Sequence, residues 1–257
     1  MGSLVTGDVF DVLSEIESGS VNLIITDPPY ESLERWRKIG TKTRLKQSEA
    51  SSNTWFPVIP NDDFFPMFLE FYRVLKPGSF FYIFCDEETR DILLYGKSVK
   101  NTVAVNENLA IEKLKEHNFP IEFPNKIFSP VGITNFKLWK TLVWKKEGRL
   151  GLGYHFRAQY EFILMLEKLE TKHKHRRLNT NSEPDVFSIK SLRSKHNFPS
   201  EKPSELIEKL IIPSTNEGEI VLDPFCGSGV VGSTCKKINR RFIISDIDTS
   251  VAEVRLP

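Results

Sequence analysis

The residues best suited to chemistry stand at the end of an apolar run. VNLIITDPPY, residues 21 to 30, closes on an acid, Asp27, and continues with Pro28, Pro29 and Tyr30. A carboxylate at the mouth of a buried strand is unusual, and each proline after it has a fixed φ and no N–H to donate. With proline near 5% of average composition, a D-P-P-Y match arises by chance at roughly one position in a hundred thousand, so chance explains it poorly. A purely structural use, with Pro-Pro ending the strand and Asp27 capping the next turn, leaves the aromatic at the mouth unexplained.

A second constellation, VLDPFCGSGVVGS at 221 to 233, has an acid at the end of an apolar run, Asp223, then a turn with Gly227 and Gly229, then a helix start. Glycines there let a ligand approach the backbone closely, and a helix N-terminus offers free N–H groups. Such a turn alone is weak evidence. It gains weight from RFIISDID, where Asp246 ends the next run about twenty residues on, the spacing at which a carboxylate accepts from ribose hydroxyls. The ligand should contain a nucleoside. No GK[ST] follows the glycines, which disfavours a phosphate-cradling loop.

These acids need strands to hold them. SLVTGD, VNLIITD, SFFYIFCD, TLVWKK, YEFILMLEK, EIVLDPF and RFIISDID read as strands, with helical stretches between several of them, notably 63 to 75 and 204 to 212. That alternation implies an α/β fold, a mostly parallel sheet covered on both faces. Ligands bind such sheets beyond the carboxyl ends of the strands, where Asp27, Asp223 and Asp246 sit. RVLKPGS at 73 to 79 reads as a helix end and a Pro-Gly turn feeding the next strand.

The chain of 257 residues suits one catalytic-sized domain, and its 40% hydrophobic content argues against disorder. No stretch approaches a membrane span in length, and no secretory signal is apparent. The opening MGSLVT fits a myristoylation pattern but reads better as a strand entering the fold. Cys85, Cys226 and Cys235 form no CxxC pair, which suits a reducing cytoplasm and disfavours zinc. A net charge of +1 says little about partners, so distribution must decide.

Two segments fall outside the strand-helix pattern. Residues 31 to 60 are polar, basic and weakly periodic, a long loop or lid carrying Trp36 and Trp55. Residues 168 to 202 are rich in Lys, Arg, His and Asn. Lys172, Lys174, Arg176, Arg177, Lys190, Arg193 and Lys195 offer phosphate contacts there, against the bland reading of a solvated surface run. His173 and His175 lack further ligands in view, so no metal site is expected.

Taken together, DPPY early, DPFCGSG late and the acid-ended strand after it resemble the DNA amino-methyltransferases that use S-adenosylmethionine. Having the catalytic motif before the cofactor motif is similar to their β group, a circular permutation of the Rossmann-like methyltransferase sheet, mostly parallel with one antiparallel strand. The resemblance runs over most of the chain. TGDVFDVL resembles the family's Gly-Asp strand end, RAQYEFILMLEK its Arg…Glu strand, and SEKPSELIEKLI its Lys-Pro helix. It implies one domain in three parts: a catalytic half at 1–167, a target-recognition insert at 168–202 and a cofactor half at 203–257.

By that resemblance Asp223, Phe225, Gly227, Ser228 and Gly229 surround the methionine part of the cofactor, Asp246 holds its ribose and Asp8 contacts its adenine. Ser200 and Lys202 approach the same ligand, and Asp27 borders it. The chain departs from the family pattern at Phe198, Val230 and Asp246, where His, Thr and Glu are common.

The same resemblance assigns the chemistry of DPPY. An exocyclic amine is a poor nucleophile because its lone pair is delocalised into the ring. Asp27 and the Pro28 carbonyl would each accept one N–H, stabilising charge as it develops on nitrogen and aiming the lone pair at the methyl sulfonium. The prolines fix those acceptors in advance. Tyr30 would stack on a target base that has left the duplex. The implied activity is methylation of adenine N6 in double-stranded DNA, since an acid in first position favours adenine and Ser or Thr favours cytosine. N4-cytosine methylation, an RNA methylase and a non-catalytic DNA- and cofactor-binding regulator are the alternatives. A homodimer and a cognate restriction endonuclease are the further partners such an enzyme implies.

Overall fold

In a computed structural model of the chain, the described residues are 2–33, 57–95, 136–148, 150, 156–169, 176–180, 182–192 and 201–256. Eight strands form one sheet in the order β1-β8-β7-β2-β3-β5-β4-β6. They are β1 (Gly2–Thr6), β2 (Val21–Thr26), β3 (Leu75–Cys85), β4 (Phe136–Glu147), β5 (Tyr160–Lys168), β6 (Val186–Lys190), β7 (Ile220–Asp223) and β8 (Arg241–Asp246). The pairs β1·β8, β8·β7, β7·β2, β2·β3 and β4·β6 are parallel, whereas β5 runs against both β3 and β4. One strand is thus reversed in an otherwise parallel sheet, as the resemblance implied.

Strand β2 is buried along its whole length, as expected of a central strand covered on both faces. Alternation sorts its side chains. Ile24 joins Phe81 and Ile83 on one face, under α1 (Val9–Ser14) and α2 (Phe64–Val74). Leu23 and Ile25 join Phe80, Tyr82 and Phe84 on the other, under α4 (Ser204–Ser214) and α5 (Val230–Lys237). Phe68 and Phe71 of α2 meet Phe81 edge-on at centroid distances of 5.5 and 5.2 Å, a favoured aromatic geometry. Two further helices, α3 (Glu87–Tyr95) and α6 (Ser250–Arg255), complete the α-helices of the described residues. Among the described residues no helix is long and apolar enough to cross a membrane.

Two local expectations are revised. The helix does end within 73–79, at Val74 with Leu75 as its C-cap, but in place of a Pro-Gly turn Leu75 to Gly78 already belong to β3, where Gly78 takes φ 76° and the register against β2 shifts nearby. From Val21 to Leu23 the partner moves from Leu75 to Phe80, an irregularity within the strand. The basic segment, in turn, contributes to the sheet, because β6 pairs with β4 and forms its edge.

The topology creates one crevice. From β2 the chain crosses through α2 to β3 on one side; from β7 it crosses through α5 to β8 on the other, and the two helices cover opposite faces. Adjacent parallel strands whose connections diverge leave a gap beyond their carboxyl ends. Asp27 and Asp223 stand at that gap.

Candidate active site

Asp27 follows the last residue of β2, with its side chain 28% exposed. Both carboxylate oxygens are engaged: the Tyr30 hydroxyl donates to Oδ1 at 2.7 Å, and the Lys202 ammonium contacts Oδ2. Each oxygen has two lone-pair directions, so the group is oriented and can still accept another donor. The Ile59 N–H donates to the Pro29 carbonyl at 2.7 Å, tying the proline turn to the strand-like segment beyond. Among the described residues no donor reaches the Pro28 carbonyl.

Tyr30 is buried, 7% exposed. Burial, and then the Asp27 charge, push its phenol well above the ordinary range, so it stays a neutral donor. Here its ring belongs to the core and its hydroxyl serves Asp27; the stacking expected of it requires the ring to face an incoming base.

Beside β2, the carboxyl of Asp223 at the end of β7 is 4% exposed and accepts from the Phe225 N–H at 3.2 Å. Burial pushes it up to about 8, with the Asp246 and Asp27 charges adding to the effect and the Phe225 N–H opposing it. Asp246 ends β8. Its Oδ2 accepts from the Gly227 N–H at 2.9 Å, and burial raises it too. The turn between them is tight: Gly227 and Gly229 take φ 45° and 72°, and a Cβ built on Gly229 would lie 2.9 Å from the Ala252 Cβ. Ser228 is buried next to Arg255, which also binds Glu201 at 2.5 Å. Asp8 caps α1 by accepting from the Phe10 N–H at 2.9 Å, and sits beyond Thr6, the β1 residue paired with Asp246.

Residues 21–255 match the DNA methylase family model, which covers N6-adenine and N4-cytosine enzymes. The chain belongs to this DNA methylase family. The methylase is 25% identical to the type II methyltransferase M.HpaI of Haemophilus parainfluenzae, over 98% of this chain and 72% of that one. It is 24% identical to the DNA adenine methyltransferase YhdJ of Escherichia coli strain K12, over 99% and 81%. Its fold is similar to that of M1.HpyAVI solved with S-adenosylmethionine, with a TM-score of 0.59 at 21% identity over 100% and 99% of the two chains.

The methylase uses S-adenosyl-L-methionine, and its residues fit that molecule. The donor carries positive charge on its sulfonium and its ammonium, and a buried carboxyl, Asp223, and a half-buried one, Asp246, both with raised affinity for protons, line the glycine turn. A cation brought to such a group relieves the desolvation that holds the proton on. The bare Cα of Gly229 lets α6 pack against the turn, since a Cβ there would meet Ala252.

Sequence reasoning gave one group of the site no role. Glu161, the second residue of β5, reaches the site because β5 is reversed; it faces Lys202 at 3.3 Å and Lys146 at 2.5 Å. Lys202 sits on Asp27 and Glu161 rather than among cofactor-turn residues alone. Of the basic candidates, Arg176 pairs with Glu219 at 2.6 Å, at the amino end of β7 and so opposite the crevice. Arg177 and Lys190 are exposed, and Lys190 lies at the carboxyl edge of β6. Lys172, Lys174, Arg193, Lys195, Ser200, Phe198, Trp36, Trp55, His173 and His175 lie outside the described residues.

Proposed function

We propose that this methylase transfers the methyl group of S-adenosylmethionine to N6 of adenine in double-stranded DNA. The observation that carries the reading is a carboxylate, Asp27, held by two donors at the switch point of the sheet and next to the acid-lined glycine turn. The cofactor supplies an electrophilic methyl on sulfur. Asp27 accepts one N–H of the amine and the Pro28 carbonyl the other, which aims the nitrogen lone pair and stabilises the charge that develops on it. Asp223 and the 227–229 turn hold the methionine end, Asp246 the ribose, and Asp8 the adenine. Tyr30 holds Asp27 and, with its ring turned outward, stacks on the extruded base. Lys190 and Arg177 contact phosphates, with the basic residues between 172 and 195 contributing to recognition. The acid in first position of the motif supports adenine over cytosine.

The test is mass spectrometry of nucleosides from duplex DNA incubated with the protein and S-adenosylmethionine. N6-methyladenine is expected, and Asp27→Ala should lower transfer by about 100-fold or more while cofactor binding persists. N4-methylcytosine as the product would move the assignment to cytosine; full activity of Asp27→Ala would remove Asp27 from the chemistry.

A further inference from the structure

We infer that Lys202 and Glu161 form an ionic clasp on Asp27, in which Lys202 passes from Asp27 to Glu161 as the target amine arrives. This rests on the function proposed above and concerns how its acceptor is kept ready. Lys202 is unusual among the charged groups of the site because its side chain is only 8% exposed. It leaves the Lys-Pro segment, passes its ammonium 5.0 Å from the Phe84 ring centroid, and ends between two carboxylates. Burial alone would lower its proton affinity, but Asp27 and Glu161 outweigh that and raise it, so it is a permanent cation.

Glu161 is the reserved partner. Burial would raise its carboxyl, yet Lys202 and then Lys146 outweigh that and hold it below the usual range. Lys146 bonds Oε1 at 2.5 Å. Oε2 is buried and takes no hydrogen bond among the described residues, with Lys202 just beyond bonding geometry at 3.3 Å. A buried carboxylate oxygen without a hydrogen bond is costly, and here Lys202, the cation facing Oε2, is already engaged by Asp27. A small swing of the ammonium satisfies Glu161 Oε2 and frees Asp27 Oδ2. The incoming N–H then replaces one donor by another, and Asp27, Glu161, Lys202 and Lys146 keep a balanced charge throughout.

The other groups facing Asp27 do not compete. The Tyr30 hydroxyl donates to Oδ1, burial pushes the Cys85 thiol well up so that it stays neutral, and Asp223, pushed up to about 8, is mostly protonated at neutral pH. Lys202 is then a positioning residue for Asp27, which is separable from a direct contact with the cofactor.

The deciding measurement is the titration of the Glu161 carboxyl, which Lys202 holds below the usual range, followed by carbon-13 NMR on the whole chain without DNA or cofactor and assigned with Glu161→Gln. Lys202→Met should move its midpoint up by about a unit or more, and Asp27→Asn should move it down, since Lys202 is then free to pass to Glu161. In single-turnover methyl transfer, Lys202→Met and Glu161→Gln should each be at least about tenfold slower with cofactor affinity within about threefold of wild type. An unmoved midpoint in either Lys202→Met or Asp27→Asn overturns the clasp, as does a large loss of cofactor affinity in Lys202→Met. Should Lys202→Met not fold, Asp27→Asn, which preserves shape, decides alone. A wild-type protein that methylates no DNA while the midpoints move as stated would sink the functional reading and leave the clasp standing.

Discussion

Replacing Asp223 by Asn tests the electrostatics of the cofactor turn in the protein alone. In the cofactor-free fold burial pushes this carboxyl from an ordinary 3.8 up to about 8. The folded protein therefore retains a proton over a range in which the unfolded chain has released it. The stability tied to this group is whole below about pH 4 and is lost as pH rises toward 8. Each pH unit in that window is worth about 1.4 kcal/mol, so wild type should lose about 3 kcal/mol relative to Asp223→Asn between pH 5 and 7. For a chain of this size 1 kcal/mol corresponds to about 2–4 °C, so the gap in Tm should widen by about 6–12 °C over those two units. The Asn carbonyl can still accept from the Phe225 N–H, so the backbone cap is not what changes. Scanning calorimetry of the cofactor-free protein at pH 5, 6, 7 and 8.5 reads this directly. A gap that stays constant with pH would refute the claim that Asp223 is held neutral by burial.

The same carboxyl should make cofactor affinity depend on pH with the opposite sense. Binding a cation favours the ionised acid, so below pH 8 the protein must release a proton on binding. Wild-type affinity should rise about tenfold per pH unit between 6 and 8 and flatten above, with one proton released per cofactor, counted by calorimetry in two buffers of different ionisation enthalpy. Asp223→Asn should bind more weakly and without that slope. A flat wild-type profile would mean that Asp223 does not receive the cationic end of the cofactor.

Gly229→Ala forces a side chain into φ 72° and places a Cβ 2.9 Å from that of Ala252; a loss of about 2–4 kcal/mol is expected in denaturant unfolding. Tyr30→Phe removes the donor to Asp27 Oδ1 and should slow single-turnover transfer about tenfold at unchanged cofactor affinity. Lys190→Ala should weaken DNA binding and reduce the salt slope by about one. Arg176→Ala should leave that slope alone and instead cost about 1 kcal/mol of stability, since its partly buried pair with Glu219 is structural.

The central strands were legible because burial on both faces leaves a mark: VNLIIT and SFFYIF carry apolar residues on both faces of the strand, as a sheet covered on both sides requires. The ends of β2, β7 and β8 were legible for the converse reason, an acid where the apolar run stops. Strand β6 was not. VFSIK sits in basic surroundings, and as an edge strand it is buried only at alternate residues, so its five residues carry too little periodicity to stand out from a polar segment. The start of β3 was hidden because Pro77 and Gly78 signal a turn, and only the pairing of Leu75 with Val21 shows that they lie within a strand.

Direction is the property that composition cannot carry, and it decides the site. Looking for acids at the carboxyl ends of strands finds Asp27, Asp223 and Asp246, because parallel strands all end at the crevice. In a reversed strand the rule inverts: its first residues reach the crevice and its last ones the far side. Strand β5 therefore delivers Glu161 to Lys202 and Asp27, while Glu167, six residues on, faces Arg176 at the opposite end. Two glutamates in one strand thus belong to different ends of the molecule, the first to the chemistry and the second to the scaffold. The reversed strand is also why Lys202 has two carboxylates rather than one, and hence somewhere to go when Asp27 takes a substrate.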